Sequence, residues 1–215
     1  MGTTGLRAAH LTYDRQRSAI FLDAVQTFEY RRTLTTVSDE AEQWQLKKEA
    51  LVQFAARNHL EGQRVALSVS GIQTLGRLVE LPPVEPKKLE ETVRREAGFQ
   101  FPMELKELAW GHQLLPRPGN AAPDTAPYPV VLQAVKQHIV DNLVHLGEEA
   151  GLRVDVVQSD CLALHNLAVY EFFGDDQAAA SPSPAVALLD VGADTTNLVI
   201  GSPSRVWFRS FAFGG

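Results

Sequence analysis

Apolar residues recur along this chain with two different periods, and the switches between them mark out its elements. Leu6 to Leu11 and Ser18 to Tyr30 alternate closely enough to predict two strands around a turn at Asp14-Arg15-Gln16. From Asp39 to His59 the period lengthens. Leu46, Ala50, Leu51, Phe54 and Ala55 supply one apolar face, which predicts a helix with Ser38 as N-cap and Asp39 and Glu40 in its positive first turn. RVALSVSG (Arg64 to Gly71) and LGRLVELPP (Leu75 to Pro83) predict strands. A helix from Pro86 to Phe99 has proline in its first turn, where no amide hydrogen is needed. His112 to Pro116 predicts a short strand, Pro116 to Pro129 a loop, Val130 to Val135 a strand, and Lys136 to Ala150 a helix closed by Gly151. Val154 to Val157 predicts a strand, and Asp160 to Phe173 a helix with Asp160 as N-cap and Gly174 just past its end.

Gly174 to Pro184 (GDDQAAASPSP) has no period and predicts a linker. The pattern then restarts. PAVALLDVG, TNLVIG and RVWFRSFAF predict three strands before Gly214-Gly215. A strand, a Thr-Thr turn and a strand (LLDVGADTTNLVIG) repeat the plan of the first residues (GTTGLRAAHL), which suggests an internal duplication with little sequence left in common.

Composition narrows the function classes. At 215 residues the chain is long enough for one large or two modest cores. A net charge of −6 gives no electrostatic draw to nucleic acid or an anionic membrane. No stretch approaches the roughly 18 apolar residues of a membrane span. The single cysteine, Cys161, excludes an internal disulfide, points to a reducing cytosol, and reads as a buried thiol.

The chemistry concentrates in the two Thr-Thr turns. A tight turn of small residues leaves backbone amides open to an anion, usually phosphate. Thr195 and Thr196 add hydroxyl donors. Asp190 would repel phosphate directly but can hold a magnesium ion through water, and Asp194 can orient a water or cap the turn. From the residues alone, Asp-Val-Gly-Ala-Asp reads equally as a plain hairpin turn, and Gly2-Thr3-Thr4 as a frayed terminus.

LLDVGADTTNLVIG resembles the second phosphate loop of the actin-like ATPase superfamily. VALSVSGIQTLGRLVELPPVEPKKLEETVRREAGFQFP, VVLQAVKQHIVDNLVHLGEEAGLRVDVVQSDCLALHNL and WFRSFAFGG extend the resemblance, in order over most of the chain, to the FtsA-related PilM family of type IV pilus machines. The resemblance implies an α/β, RNase H-like fold with the PilM/FtsA-type inserted subdomain and an incomplete second half. Residues 1–76 with 158–175 would form the first RNase H-like subdomain, 77–157 the insert, and 176–215 the start of the second. Gly2, Thr3 and Thr4 would be the remains of the first phosphate loop, with Arg7 where the family often has lysine. Asp190, Gly192, Ala193, Asp194, Thr195 and Thr196 match the second loop, and Gly214-Gly215 the glycine pair that opens the next helix. The strand and Asp of the first loop and the adenosine-binding loop are missing, so the chain reads as a fragment truncated at both ends.

The family implies ATP and Mg2+ as cofactors, and a groove between the first subdomain and the insert that receives the cytoplasmic tail of a PilN-like inner-membrane protein. It implies a cytoplasmic protein recruited to the membrane through partners, a nucleotide-responsive adaptor with weak turnover or none. A sugar-kinase-like phosphotransferase, with Asp190 or Asp194 as base, and a scaffold without nucleotide are the alternatives. His138, Asp141 and His145 share a helix face but read as surface histidines rather than a metal site. The mixed charges from Glu85 to Glu96 read as a solvated helix face, and Trp44, Trp110 and Trp207 as core or groove wall.

Overall fold

The computed structural model describes residues 1–117, 126–173 and 184–215. Most of the predicted loop Pro116 to Pro129 and of the linker Gly174 to Pro184 lies outside the described residues. The rest divides into two units: Met1–Leu67 with Asn142–Val156, and Ser68–Asp141 with Val157–Gly215.

In the first unit, β1 (Gly5–Asp14) and β2 (Ala19–Glu29) form an antiparallel ribbon. Leu6 lies opposite Phe28 and Tyr13 opposite Ile20, with an irregularity between His10 and Leu11. Helix α1 (Glu40–Arg57) buries Ala50, Leu51, Phe54 and Ala55, the face its period predicts. Its N-cap is Asp39 rather than Ser38: Asp39 has the extended backbone a cap requires, and its carboxylate accepts from the Ala41 amide at 3.0 Å. Leu6, Leu51, Phe54 and Ala55 pack with Leu146 and Leu152 as the core. Leu146 is on α3 (Gln137–Glu149), which ends one residue before the predicted Ala150 and is closed by Gly151. Gly151 has φ +72°, and the Gly151 and Leu152 amides donate to the Glu148 and Gly147 carbonyls, both at 2.9 Å. Strands β3 (Arg64–Val69) and β7 (Arg153–Ser159) pair with each other.

The second unit contains a sheet in the order β4 (Leu75–Leu81), β6 (Tyr128–Lys136), β5 (Leu108–Leu114), all antiparallel. Strand β5 starts at Leu108, before the predicted His112. Gly111 and His112 interrupt the apolar alternation that Leu108 and Trp110 begin. Central β6 is covered on both faces, hence its nearly unbroken apolar run. Val130, Leu132 and Ala134 pack with Val93 and Ala97 of α2 (Pro86–Gln100) and with Leu81, Phe101 and Leu108. Val131 packs with Leu115, Cys161, Leu162, Val199 and Val206. Cys161 and Leu162 lie on α4 (Asp160–Phe172). A second antiparallel sheet runs β10 (Arg205–Phe211), β9 (Thr196–Ser202), β8 (Val186–Val191). Asp160 is the first residue of α4 rather than its cap. Ser159 stands at the cap but makes no capping hydrogen bond, its Oγ accepting from Gln133 at 3.3 Å, and the Asp160 carboxylate instead accepts from the next amide, Cys161, at 2.6 Å. Among the described residues no helix is long and apolar enough to cross a membrane.

Candidate functional site

The turn between β8 and β9 is Gly192-Ala193-Asp194-Thr195. The Gly192 amide closes it by donating to the Thr195 carbonyl at 2.9 Å. The Gly214-Gly215 pair lies against it. The Gly215 amide donates to the Gly192 carbonyl at 3.0 Å, and the Thr196 hydroxyl donates to the Phe213 carbonyl at 2.7 Å. A Cβ on Gly214 would overlap the Ala193 carbonyl and come within 2.6 Å of the Asp194 nitrogen, so only glycine allows this approach. Among the described residues, no backbone carbonyl accepts from the Ala193 or Asp194 amide. One Asp194 oxygen, Oδ2, is buried without a hydrogen-bond partner.

The structure therefore brings Gly192, Ala193, Asp194, Thr195, Thr196, Gly214 and Gly215 together, with Asp190 at the end of the strand leading in. The Thr196 hydroxyl, expected as a phosphate donor, has its proton committed to Phe213, and its side chain is buried.

Asp190 joins a network that the sequence did not announce. It pairs across β9 with Asn197, whose side-chain nitrogen donates to Asp190 Oδ2 at 3.2 Å and to Asp160 Oδ2 at 3.1 Å. The Asn197 oxygen accepts from Ser210 Oγ at 2.5 Å and from Cys161 Sγ at 3.6 Å. Burial pushes the Cys161 thiol up to about 12, and the Asp160 and Asp190 charges push the same way against a hydrogen bond with Ser210, so it is no nucleophile. Local sequence rules give Asp160 only a helix-cap role and single out neither Asn197 nor Ser210. The one available signal was an asparagine at a core position of an otherwise apolar strand, TNLVIG.

Gly2, Thr3 and Thr4 belong to the first unit and are tied by backbone hydrogen bonds. The Gly2 amide donates to the Gly5 carbonyl at 2.9 Å. The Thr3 and Thr4 carbonyls accept from Leu34 at 2.8 Å and Tyr30 at 3.0 Å. Arg7 is exposed on β1 opposite Thr27. Elsewhere, Asp141 accepts from Gln137 at 2.9 Å, and His145 lies 3.7 Å from Glu149. The described residues contain no cluster of three metal-ligating side chains. Trp110 stacks under Arg94 at 5.5 Å, Trp44 packs on the first core, and Trp207 is half-exposed on β10.

Residues 6–215 match the sequence pattern of a family described as type IV pilus assembly protein PilM. By sequence alone, no curated protein matches the chain. Solved structures share its fold. A PilM-PilN type IV pilus biogenesis complex matches at 22% identity and TM-score 0.69, covering 100% of this chain and 60% of that one. The cytoplasmic domain of EpsL, an inner-membrane component of the Vibrio cholerae type II secretion system, matches at 12% identity and TM-score 0.51, covering 96% of this chain and 66% of that one. The chain thus spans less than two thirds of the length of either.

Proposed function

The chain belongs to the PilM family of type IV pilus assembly proteins, and from that membership we propose that it works as a nucleotide-responsive adaptor in the cytoplasmic part of a type IV pilus or related secretion machine. It docks the cytoplasmic tail of a PilN-like inner-membrane protein, which recruits it to the membrane. The three-part division, 1–76 with 158–175, 77–157 and 176–215, belongs to the same proposal.

The observation that supports the nucleotide half of this reading is the approach of Gly214-Gly215 to the Gly192–Thr195 turn. Among the described residues, the Ala193 and Asp194 amides there have no backbone partners, and the same turn carries the Thr195 hydroxyl. Those groups suit phosphate oxygens. Two carboxylates, Asp160 and Asp190, converge on one amide nearby. Hard oxygen ligands of this kind suit Mg2+, which prefers one or two carboxylates with water and phosphate completing its shell. The residues thus fit an ATP–magnesium pair. Bound there, the cation would neutralise phosphate charge that Asp190 and Asp194 would otherwise repel. In the first unit, Gly2, Thr3 and Thr4 are proposed as phosphate contacts in their own right. A second reading, a scaffold that binds partners without nucleotide, draws support from the Thr196 hydroxyl and the Gly192 amide, both already satisfied within the protein.

Calorimetry with magnesium-ATP separates the two. The adaptor reading expects binding by the protein in its full length, loss of binding in Gly214→Ala, and a ligand-dependent rise in melting temperature. Absence of heat with the unmodified protein would leave only the scaffold. Phosphate release that rises with an added sugar would point instead to a kinase.

A further inference from the structure

The network on Asn197 has a property that a stray polar residue in a strand would lack: every bonding position of the amide is used. Its two hydrogens go to two different carboxylates, Asp160 and Asp190. Its oxygen takes the Ser210 hydroxyl and the Cys161 thiol. The side chain is 2% exposed. This census also fixes the amide's orientation, because the flipped rotamer would aim a carbonyl oxygen at two carboxylates. Two carboxylates brought to one point repel each other. A neutral donor between them offsets that repulsion and sets their spacing. The surroundings hold the arrangement from three sides. The Cys161 amide donates to the other oxygen of Asp160 at 2.6 Å. Asn197 lies directly across the ladder from Asp190. The one-turn 3-10 helix Gly71–Gln73 closes over the cluster so tightly that a Cβ on Gly71 would lie 2.6 Å from Cys161 Sγ and 2.7 Å from Asp160 Oδ1.

We infer that Asn197 is a positioning residue: its single amide clamps Asp160 and Asp190 as a fixed pair beside the Gly192–Thr195 turn, preset for a divalent cation that arrives with a phosphate. The cation rests on the nucleotide reading above, whereas the clamp rests on the network alone.

Two arms test these separately. The first uses the full-length protein without nucleotide and follows melting. Asn197→Asp keeps the size of the side chain and the acceptors for Ser210 and Cys161, but replaces both donor hydrogens with a third negative charge. It should lower the melting temperature, and adding Asp190→Asn should restore most of the loss, because an amide again faces an acid across the same ladder position. A loss that Asp190→Asn does not relieve would overturn the clamp. The second arm is calorimetry with ATP, with and without magnesium. Asn197→Ala, or Asn197→Ser should alanine not fold, should weaken magnesium-ATP about tenfold or more, the usual scale for groups that orient metal ligands, and leave magnesium-free ATP unchanged. Magnesium-ATP affinity within about twofold of the unmodified protein would overturn the positioning role. If the unmodified protein binds no magnesium-ATP, the nucleotide reading and the cation fall together, and the clamp stands or falls on the melting arm.

Discussion

The two hairpins that follow a Thr-Thr turn, β1–β2 and β9–β10, share a plan and differ in what holds them. The first is a two-stranded ribbon that leaves Leu11, Tyr13, Leu22 and Val25 more than half exposed. The second has β8 as a third strand and one face packed with Cys161 and Leu162 of α4. The turn before β1 is fixed by backbone hydrogen bonds, and the one before β9 by a glycine pair and a side-chain network centred on the buried Asn197. A backbone-tied turn tolerates changes of side chain. A turn tied by side chains in a closed cluster transmits any change of shape or charge to every member. Mutational sensitivity should therefore be patchy in the first hairpin and concentrated in the second.

The largest effect is expected where the second cluster is tightest. Gly71→Val should cost about 4 kcal/mol, combining overpacking with separation of the Asn197 amide from its carboxylates. Denaturant unfolding measures it, and a cost below about 1 kcal/mol would mean that the cluster yields easily and the contrast between the hairpins is false. Next comes a contrast within β1. Leu6 is 5% exposed and Leu11 is 57% exposed. Leu6→Ala should cost about 3 kcal/mol and Leu11→Ala less than about 0.5 kcal/mol. Similar costs at the two positions would show that the ribbon is covered along its length.

Much of the architecture was legible before the structure. The buried face of α1, the glycine that ends α3 and the strands either side of Gly192–Thr195 all follow from local period and turn chemistry. Local rules were insufficient where neighbours compete: Ser38 and Asp39 are both good caps, and backbone conformation decides for Asp39. The Asn197 network was illegible for a stronger reason. Hairpin register links Asp190, Asn197 and Ser210, but Gly71, Asp160 and Cys161 come from a turn and a helix far away in sequence, and no spacing rule links them to the strands. Asp160 even had a sufficient local reading as a helix cap, which hid its second role.

A smaller effect appears in alkali, and again separates the units. Burial raises Tyr30 from 10.0 to about 12, and Cys161 rises from 9.0 to about 12 for the reasons above. In both, the native state keeps a proton that the unfolded chain gives up, so stability falls as pH rises past the unfolded value. The loss should begin near pH 9 through Cys161 and steepen near pH 10 through Tyr30. Cys161→Ala should remove the earlier onset and Tyr30→Phe the later one. The Tyr30 hydroxyl is also buried without a hydrogen-bond partner, so Tyr30→Phe should gain about 1 kcal/mol at neutral pH. A loss there would mean that the hydroxyl is satisfied, and the first unit would then hold a polar tie like those of the second.

The smallest effect belongs to ion pairs on the first unit. Lys48 Nζ lies 2.5 Å from Glu149, and Arg64 and Arg153 both reach Asp155. Hydrogen bonds from Lys48 and Arg64 hold the two carboxyls below their ordinary range. A depressed carboxyl contributes stability above its unfolded value and loses it as pH falls through the lower folded one. Both groups are open to solvent, where screening and side-chain entropy leave little net gain. Lys48→Ala should therefore lower the melting temperature at pH 7 by less than any change above, and by less still in high salt or below the carboxyl range. This is the reverse of the Asn197 case, in which two carboxylates meet a donor that is itself buried and a single amide governs their spacing. If Lys48→Ala were as damaging as Gly71→Val, burial would not be what distinguishes the two regions.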